Sequence, residues 1–159
     1  MGDRTAGRPP IPSRAEYGEG AGEPVPWETV DRLLTASRYF WLATARPDGR
    51  PHSIPVWAVW HDGRLYFATA PSTVTGRNLS ANPCAVAHLA DPREVVIVEG
   101  TATRLGASVP PTAVDAYEAK YGWRLDPDDA GMPFYALEPR AVLAWQAKDI
   151  RGTAARWRL

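Results

Sequence analysis

Residues 71–83, PSTVTGRNLSANP, place four side-chain hydroxyls and one arginine directly after a predicted strand, where a predicted helix begins. A helix N-cap needs only one hydroxyl or carboxamide to satisfy the free backbone N–H groups of the first turn. The segment exceeds that requirement with Ser72, Thr73, Thr75 and Arg77. Hydroxyls, free N–H groups and the helix dipole favour an anion, and a guanidinium adds a planar donor fork that suits phosphate. The segment predicts a phosphate site, and an ordinary cap with a solvated arginine is the alternative.

The segment PHSIPVWAVW (51–60) is the second candidate for binding. Pro55 cannot donate a hydrogen bond to a neighbouring strand, so it belongs at a sheet edge or a bulge, where backbone groups are free to bind something else. Trp57 and Trp60 supply broad aromatic faces, and a flat ring system would pack against Trp57. Thr69, just before the hydroxyl-rich segment, would extend the hydroxyl cluster.

Reactive groups are scarce in the sequence. It has no phosphate-binding G-x-x-x-x-G-K-[ST] loop and no G-x-S-x-G turn. His52, His61 and His88 are dispersed without metal-ligand spacing, so we expect no metal site. Cys84 lies in the apolar run CAVAHLA, which predicts a buried structural thiol. A chain that offers binding groups rather than nucleophiles is typical of proteins that hold a redox cofactor and leave the bond-making to it.

The elements that would position these groups form one domain. Residues 1–26 contain five Gly and five Pro and predict a disordered tail, and residues 27–159 predict the domain. Apolar residues at helical spacing predict a helix from Trp27, and a second helix over 111–122 ends at Gly122. Trp27 and Trp41 are expected in the core. Predicted strands cover 39–45, 51–60, 64–70, 84–90 and 95–105, followed by extended segments around PFYAL and AVLAWQA and a tail RGTAARWRL. About six short strands with peripheral helices predict a mainly β fold, a small antiparallel barrel.

The composition limits the partners and the cellular environment that we expect for this domain. Lys plus Arg and Asp plus Glu are both 18, so no overall field favours nucleic acid or an anionic membrane. A single cysteine excludes an intrachain disulfide and fits a reducing, cytoplasmic environment. No stretch approaches the roughly 20 apolar residues that span a bilayer. We therefore expect a soluble protein with a small-molecule substrate.

The order of these features resembles the pyridoxamine 5'-phosphate oxidase-like, split β-barrel superfamily. The matching stretches are residues 43–89, VVIVEGTAT (95–103) and the closing RWRL (156–159). The linked pattern is D-G-x-P-H-x-x-P-V-W, F-x-T, R-N-L-x-x-N-P and E-G-x-A. Within the superfamily the chain is most similar to the actinobacterial branch that uses coenzyme F-420, a deazaflavin with a phosphodiester and a glutamate tail.

The resemblance implies a six-stranded antiparallel split barrel of the FMN-binding type, and a homodimer with cofactor sites at the subunit interface. It implies contacts to the cofactor ring from His52, Ser53, Pro55, Val56 and Trp57. It implies contacts to the phosphate from Thr69, Ser72, Thr75, Arg77 and Asn78. In the closing segment it implies that Trp157 and Arg158 reach the cofactor or the partner subunit, and a solvated chain end is the alternative. Many relatives have a lysine where this sequence has Thr75, which leaves Arg77 as the main charged donor.

These expectations lead to three hypotheses about function. The first is an oxidoreductase in which reduced coenzyme F-420 transfers hydride to an electron-poor organic acceptor. The second is an FMN-dependent enzyme resembling pyridoxamine-phosphate oxidase. The third is a non-catalytic carrier of a flavin, deazaflavin or haem. No catalytic residue is assigned, because His52 and Tyr39 are candidate proton donors that would equally serve as packing residues.

Overall fold

The computed structural model describes Ser13–Arg14 and residues 22–159. Most of the predicted tail therefore lies outside the described residues. Of the part that is described, Ser13–Arg14 forms the short strand β1, and the side chain of Val25 is only 5% exposed. The Val25 N–H donates to the carbonyl of Thr153 at 2.9 Å, so ordered packing begins before the first helix.

Nine strands and four α-helices are formed by the described residues. The further strands are β2 (Phe40–Ala45), β3 (Pro51–Val56), β4 (Ala58–His61), β5 (Arg64–Ala68), β6 (Cys84–Leu89), β7 (Glu94–Arg104), β8 (Phe134–Gln146) and β9 (Ala155–Arg158). The helices are α1 (Trp27–Ala36), α2 (Val74–Ala81), α3 (Pro111–Tyr121) and α4 (Ile150–Thr153). No helix in the described part of the chain is long and apolar enough to cross a bilayer.

All strands pair antiparallel in one curled sheet that forms a half-barrel, with the order β1-β9-β8-β7-β6-β2-β3. The long strand β8 pairs with β7 on one side, and its other side is shared by β5 along residues 134–137 and β9 along residues 141–144. β4 joins the sheet through β5. The predicted mainly β split barrel is confirmed.

The strand count differs from the predicted six for local reasons. The predicted strand 51–60 is interrupted at Trp57, which separates β3 from β4. The two predicted segments around PFYAL and AVLAWQA are one continuous strand, β8. Part of the predicted C-terminal tail is β9, which adds a strand beside β8.

Cross-strand partners define the two faces of the sheet. On the inner face Leu42, Ala87, Val98, Val142 and Trp157 are paired in sequence across β2, β6, β7, β8 and β9, and each is 0% exposed. The adjacent outer row is Trp41, His88, Ile97, Leu143 and Arg156. Side chains of successive residues point to opposite faces of a strand, so Trp41 and Leu42 have different surroundings.

This alternation corrects two expectations. Trp41 is 39% exposed on the outer face and is not a core residue, because Phe40 and Leu42 take the inward positions. Cys84 is exposed and is not a buried thiol, because Ala85 and Ala87 are the inward residues of β6. Trp27 is partly buried and packs edge-on against Trp157, with ring centroids 5.3 Å apart.

Helix α3 covers a second, smaller apolar cluster. Ala113, Val114 and Tyr117 of α3 pack there with Val59 of β4 and Phe134 of β8. α3 ends at Gly122 in the left-handed conformation with φ of 71°, as predicted. This position of α3 brings its C-terminal aromatic residues beside the end of β3.

Candidate functional site

Strand β3 forms one edge of the sheet. It pairs with β2, and no other strand in the described part of the chain pairs with it. The prediction that Pro55 lies at a sheet edge is confirmed. Backbone N–H and C=O groups along the free side of an edge strand can bind a ligand without breaking the sheet.

A cleft lies at the C-terminal end of β3, which we call the aromatic cleft. Its volume is about 290 Å³. It is lined by residues 54–57, by Ala68 at the end of β5 and Thr69 after it, and by Tyr117, Trp123, Leu125 and Met132. The first two groups come from the sheet, and the last comes from α3 and the loop that follows it. The cleft therefore depends on packing of α3 against β4.

Tyr121 fixes the position of Trp57 at the mouth of this cleft. The two rings stack with centroids 4.8 Å apart and an interplanar angle of 6°. The Tyr121 hydroxyl accepts from the Ala58 N–H at 2.9 Å and lies within hydrogen-bond distance of the carbonyls of Arg38 and Ala58. Trp123 meets Trp57 edge-on, with centroids 6.5 Å apart. Trp57 is 42% exposed but held in one orientation.

The aromatic cleft carries no ionised side chain. Its lining, as far as the chain is described, contains no carboxylate, ammonium or guanidinium. Burial raises the pKa of the Tyr117 hydroxyl to about 12, so that group stays neutral near pH 7. Burial also raises the pKa of Tyr121 behind Trp57. The cleft therefore offers aromatic faces and aliphatic surface to a ligand, and no charge.

A second cleft, the arginine cleft, lies where the chain enters β3. Its volume is about 330 Å³, and it is lined by Arg46, Pro47, Asp48, Arg50, Val74, Arg77 and Asn78. Arg50 pairs with Asp48 at 2.8 Å, and this contact lowers the pKa of the Asp48 carboxyl. Arg77 donates to the carbonyl of Ser72. Neither Arg46 nor Arg77 forms an ion pair with a carboxylate in the described part of the chain.

The turn between β5 and α2 leads from Thr69 of the aromatic cleft to Val74 of the arginine cleft, and hydroxyl groups order it. Thr69 and Thr73 have hydroxyl oxygens 3.0 Å apart, and the Thr73 hydroxyl donates to the carbonyl of Ala70 at 2.8 Å. Thr73 is also the N-cap of α2, accepting from the Gly76 N–H at 2.9 Å. A Cβ on Gly76 would clash with the Ala70 carbonyl and lie 2.8 Å from Pro71 Cα. A glycine there lets the helix pack closely against the turn.

The other hydroxyl and amide groups of this segment are less accessible than the sequence suggests. Asn78 is 2% exposed, and its Nδ2 donates to Thr44 Oγ1 at 2.9 Å, which ties α2 to β2. Thr75 is 1% exposed, and its Oγ1 has no hydrogen-bond partner among the described residues. Ser72 is exposed, and its carbonyl accepts from Arg77.

Most of the sequence-predicted site residues lie together. His52, Ser53, Pro55 and Val56 lie on β3, Trp57 follows them, and Thr69 shares the aromatic cleft with the last three. Arg77 and Asn78 share the arginine cleft. These two groups are linked because α2 begins directly after the turn that follows β5.

Trp157 and Arg158 lie elsewhere. The Trp157 ring is completely buried in the core, where no ligand on the surface of this chain reaches it. Arg158 points to the outer face and lines a groove of about 720 Å³ with Cys84, Glu99 and Arg140. In this chain that groove is separate from both clefts around β3.

Arg46, Arg50, Tyr117, Tyr121 and Trp123 belong to the site and were missed from the sequence. The two arginines flank the turn RPDGR, and their position just before a predicted edge strand is a signal that could have found them. The aromatic residues of α3 carry no such signal, because their role depends on contacts over long sequence separations, such as 63 residues between Tyr121 and Ala58.

The residues around β3 suit a planar, uncharged group at one end of the strand and an anionic group at the other. β3 has six residues, which at ~3.3 Å per residue is roughly 20 Å long, and its last three residues line the aromatic cleft. An aromatic, uncharged surface lies at one end, and the guanidiniums of Arg46, Arg50 and Arg77 lie at the other. In the part of the chain that the structure describes, no three His, Cys, Asp or Glu side chains are placed to hold a metal ion.

The curled antiparallel sheet and its peripheral helices define a split-barrel protein. A family model described as pyridoxamine 5'-phosphate oxidase matches residues 26–152, and the chain belongs to this family. The sequence resemblance to this superfamily is thereby confirmed. No curated protein matches the chain.

Solved structures with the same fold include proteins of different descriptions. One described as an F420 reductase is 26% identical with a TM-score of 0.57, over 70% of this chain and 94% of that chain. The conserved hypothetical protein Rv2991 from Mycobacterium tuberculosis is 23% identical with a TM-score of 0.64, over 80% and 88%. A heme binding protein from Mycobacterium smegmatis is 20% identical with a TM-score of 0.65, over 80% of this chain and 56% of that chain.

Proposed function

We propose that the protein is an oxidoreductase that uses reduced coenzyme F-420 to reduce an electron-poor organic acceptor. The observation that carries this proposal is the arrangement along β3, where an uncharged aromatic cleft and a cluster of arginines flank one free strand edge. The similarity to a structure described as an F420 reductase supports the choice of a deazaflavin.

Different residues of this chain would bind the ring and the phosphodiester of the coenzyme. His52, Ser53, Pro55, Val56 and Trp57 would lie beside the cofactor ring, and the free edge of β3 offers backbone groups to its polar atoms. Arg46 and Arg77 would bind the phosphodiester, together with the exposed Ser72. A guanidinium carries five N–H donors, so Arg77 can bind such an oxyanion while it donates to the Ser72 carbonyl.

When bound, the reduced coenzyme supplies a hydride, and the acceptor gains two electrons and two protons in total as the coenzyme is oxidised. The protein's contribution would be to orient the acceptor and exclude water from it. The apolar lining of the aromatic cleft is suited to that role, and the second proton would come from solvent or from His52.

Two copies of the chain would complete the site. The outer face of the sheet carries Trp41, Val86, Ile97, Leu143 and Trp145, which belong to neither core cluster of the described chain. Trp41 and Ile97 lie in one row with Pro55 of the edge strand. An apolar face of this extent is typical of a subunit interface. A homodimer would bring the partner's outer face, with its Arg158 groove, beside β3.

Titration of the purified protein with reduced coenzyme F-420, followed by the coenzyme's fluorescence, tests this proposal. We expect saturable binding at micromolar concentration and faster oxidation of the bound coenzyme when enones, quinones or nitro compounds are added. Absence of binding at tens of micromolar would refute it. Light scattering with size-exclusion chromatography tests the dimer.

A flavin mononucleotide enzyme is the second candidate. The arginine cleft would serve its phosphate equally well, and the free strand edge its ring. A yellow preparation whose absorbance is that of flavin would favour this alternative. A colourless protein that does not bind added flavin would exclude it.

A cofactor carrier is the third candidate. The lining of the aromatic cleft favours it in one respect, because it contains no group with the pKa of an effective general acid. The distinguishing measurement is the oxidation rate of bound reduced cofactor in the presence of acceptors. A carrier would slow that reaction or leave it unchanged.

A further inference from the structure

We propose that the aromatic cleft is the acceptor subsite and that it selects neutral, planar molecules of about two fused rings. This inference rests on the proposed function for the identity of the reaction, and on the cleft itself for the class of ligand.

Charge is the first argument. The described lining contains no positively charged group that would compensate an anion, and the phenol of Tyr117 stays protonated at neutral pH. Moving an ionised group from water into such surroundings is costly without a partner. A phosphorylated aromatic such as pyridoxamine 5'-phosphate would therefore be rejected, although the family takes its description from that compound.

Shape is the second argument. Trp57 is held flat against Tyr121, and the Tyr121 ring has the Arg38 guanidinium 5.6 Å from its centroid. Trp123 stands at 87° to Trp57 and forms a second wall. Two walls at right angles allow a planar ligand to stack on one ring and meet the other edge-on, which are the geometries that aromatic pairs prefer.

Size is the third argument. At about 290 Å³ the cleft is at the lower limit of ligand pockets, which usually measure ~300 to 1,000 Å³. It is too small for a large polycyclic molecule or a long acyl chain in addition to the planar group. Leu125 and Met132 line the cleft from the segment after α3, so that segment contributes to which acceptors fit.

The test compares two probes that share one ring system and differ in charge, 2-naphthol and 2-naphthalenesulfonate. Neither reacts with the exposed thiol of Cys84. Calorimetry at neutral pH should show saturable binding of 2-naphthol and at least tenfold weaker binding of the sulfonate. Equal affinities, or no binding of 2-naphthol, would overturn the inference.

Two variants locate the binding site. Met132→Arg places a cation in the lining and should reverse the preference for 2-naphthol over the sulfonate. The variant should bind the sulfonate at least tenfold more tightly than the natural protein does. Trp123→Ala removes one wall and should weaken 2-naphthol binding severalfold, whereas Ile150→Ala, a change at an exposed apolar residue on α4, should leave it unchanged. If neither cleft variant changes the affinity for its probe, the probe binds elsewhere and the inference is refuted.

A final titration distinguishes failure of this inference from failure of the proposed function. The 2-naphthol titration is repeated with saturating oxidised coenzyme F-420, and the affinity should be retained. Displacement of the probe would assign the cleft to the cofactor ring and overturn the acceptor subsite. If the coenzyme does not bind but the probe preference holds, the proposed function fails and the neutral-ligand cleft stands.

Discussion

The two ends of β3 use opposite physical means to prepare a binding surface. The aromatic cleft is formed by uncharged side chains, and its exposed Trp57 is held by stacking on Tyr121, whose hydroxyl binds the backbone of Ala58. The arginine cleft is formed by a turn and a helix start that carry Arg46, Arg50 and Arg77, and only Arg50 of these forms an ion pair among the described residues. One end offers aromatic surface without charge, and the other offers positive charge.

The difference predicts how each end responds to solution conditions. Interactions between exposed charges are screened by salt over a length of about 8 Å at physiological ionic strength. Contacts between apolar surfaces are much less sensitive to salt. A phosphorylated cofactor held at the arginine cleft would therefore bind in a salt-dependent way, and an acceptor in the aromatic cleft would bind in a largely salt-independent way.

The largest effect is expected where the two ends are joined. Gly76→Val should destabilise the protein by about 3 kcal/mol, because the new side chain clashes with the Ala70 carbonyl and with Pro71 Cα. It should also weaken ligands of both clefts, since the displaced turn carries Thr69 and the displaced helix carries Arg77. Urea denaturation and the two probe titrations measure these effects.

The matched control is Gly63→Ala. Gly63 has a φ of 73°, and a Cβ there would meet nothing within 4 Å. Only the cost of a left-handed backbone remains, about 1 kcal/mol. If Gly76→Val costs no more than this control, close packing of α2 on the turn does not join the clefts.

Alkaline pH should affect the aromatic end alone. Burial raises the Tyr117 pKa from 10.0 to about 12, so the unfolded chain loses this proton first. The stabilisation is complete below pH 10 and is lost as the pH rises towards 12, by about 2 to 3 kcal/mol in total. Guanidinium groups stay charged throughout this range.

Tyr117→Phe provides the comparison for this prediction. Its free energy of unfolding, measured by urea denaturation from pH 8 to the highest pH at which unfolding stays reversible, should fall less steeply than that of the natural protein. Tyr121 and Lys120 also have shifted pKa values, and they contribute to both proteins alike. Parallel curves would show that Tyr117 does not titrate differently on folding.

The sequence predicted those parts of the fold and site that depend on local chemistry. Pro55 could be assigned to an edge because it lacks an N–H, and the hydroxyls after residue 70 could be assigned to a helix start because caps use them. Gly122 could be assigned to a helix end for the same kind of reason. Each of these assignments needs only a few neighbouring residues.

The faces of the strands were harder to predict, because both faces of the sheet are apolar. In FWLATA the inward residues Phe40 and Leu42 alternate with Trp41, which is as hydrophobic as they are. Alternation identifies a buried face only when the other face is polar. The same ambiguity explains Cys84, and it left Trp157 and Arg158 in one predicted site although they point to opposite faces.

Charge removal should affect the arginine end alone. The double variant Arg46→Gln and Arg77→Gln should bind reduced coenzyme F-420 about 10- to 100-fold more weakly, as expected for loss of charged hydrogen bonds of about 1.5 to 3 kcal/mol. The salt dependence of the affinity should decrease with it. Binding of 2-naphthol should not change.

The matched control for the arginines is Arg124→Gln. Arg124 is exposed, lines neither cleft and pairs with Asp115 and Glu118, so it compensates existing carboxylates. Its loss should leave coenzyme affinity unchanged. A similar loss in both variants would show that overall charge, and not the arginine cleft, attracts the coenzyme.

The smallest effect is expected from Tyr121→Phe, which separates stacking from hydrogen bonding at the aromatic end. The change leaves the buried Ala58 N–H without its 2.9 Å acceptor and should cost about 1 kcal/mol of stability. It keeps the ring that stacks on Trp57, so the affinity for 2-naphthol should fall less than threefold.

Tyr121→Leu removes the ring as well, and stacked aromatic pairs contribute ~0.5 to 1.5 kcal/mol beyond their buried area. We therefore expect weaker probe binding in the leucine variant than in the phenylalanine variant, measured by calorimetry on both. Equal binding by the two would mean that the hydroxyl, through the backbone of Ala58, orients Trp57 and that the stacked ring does not.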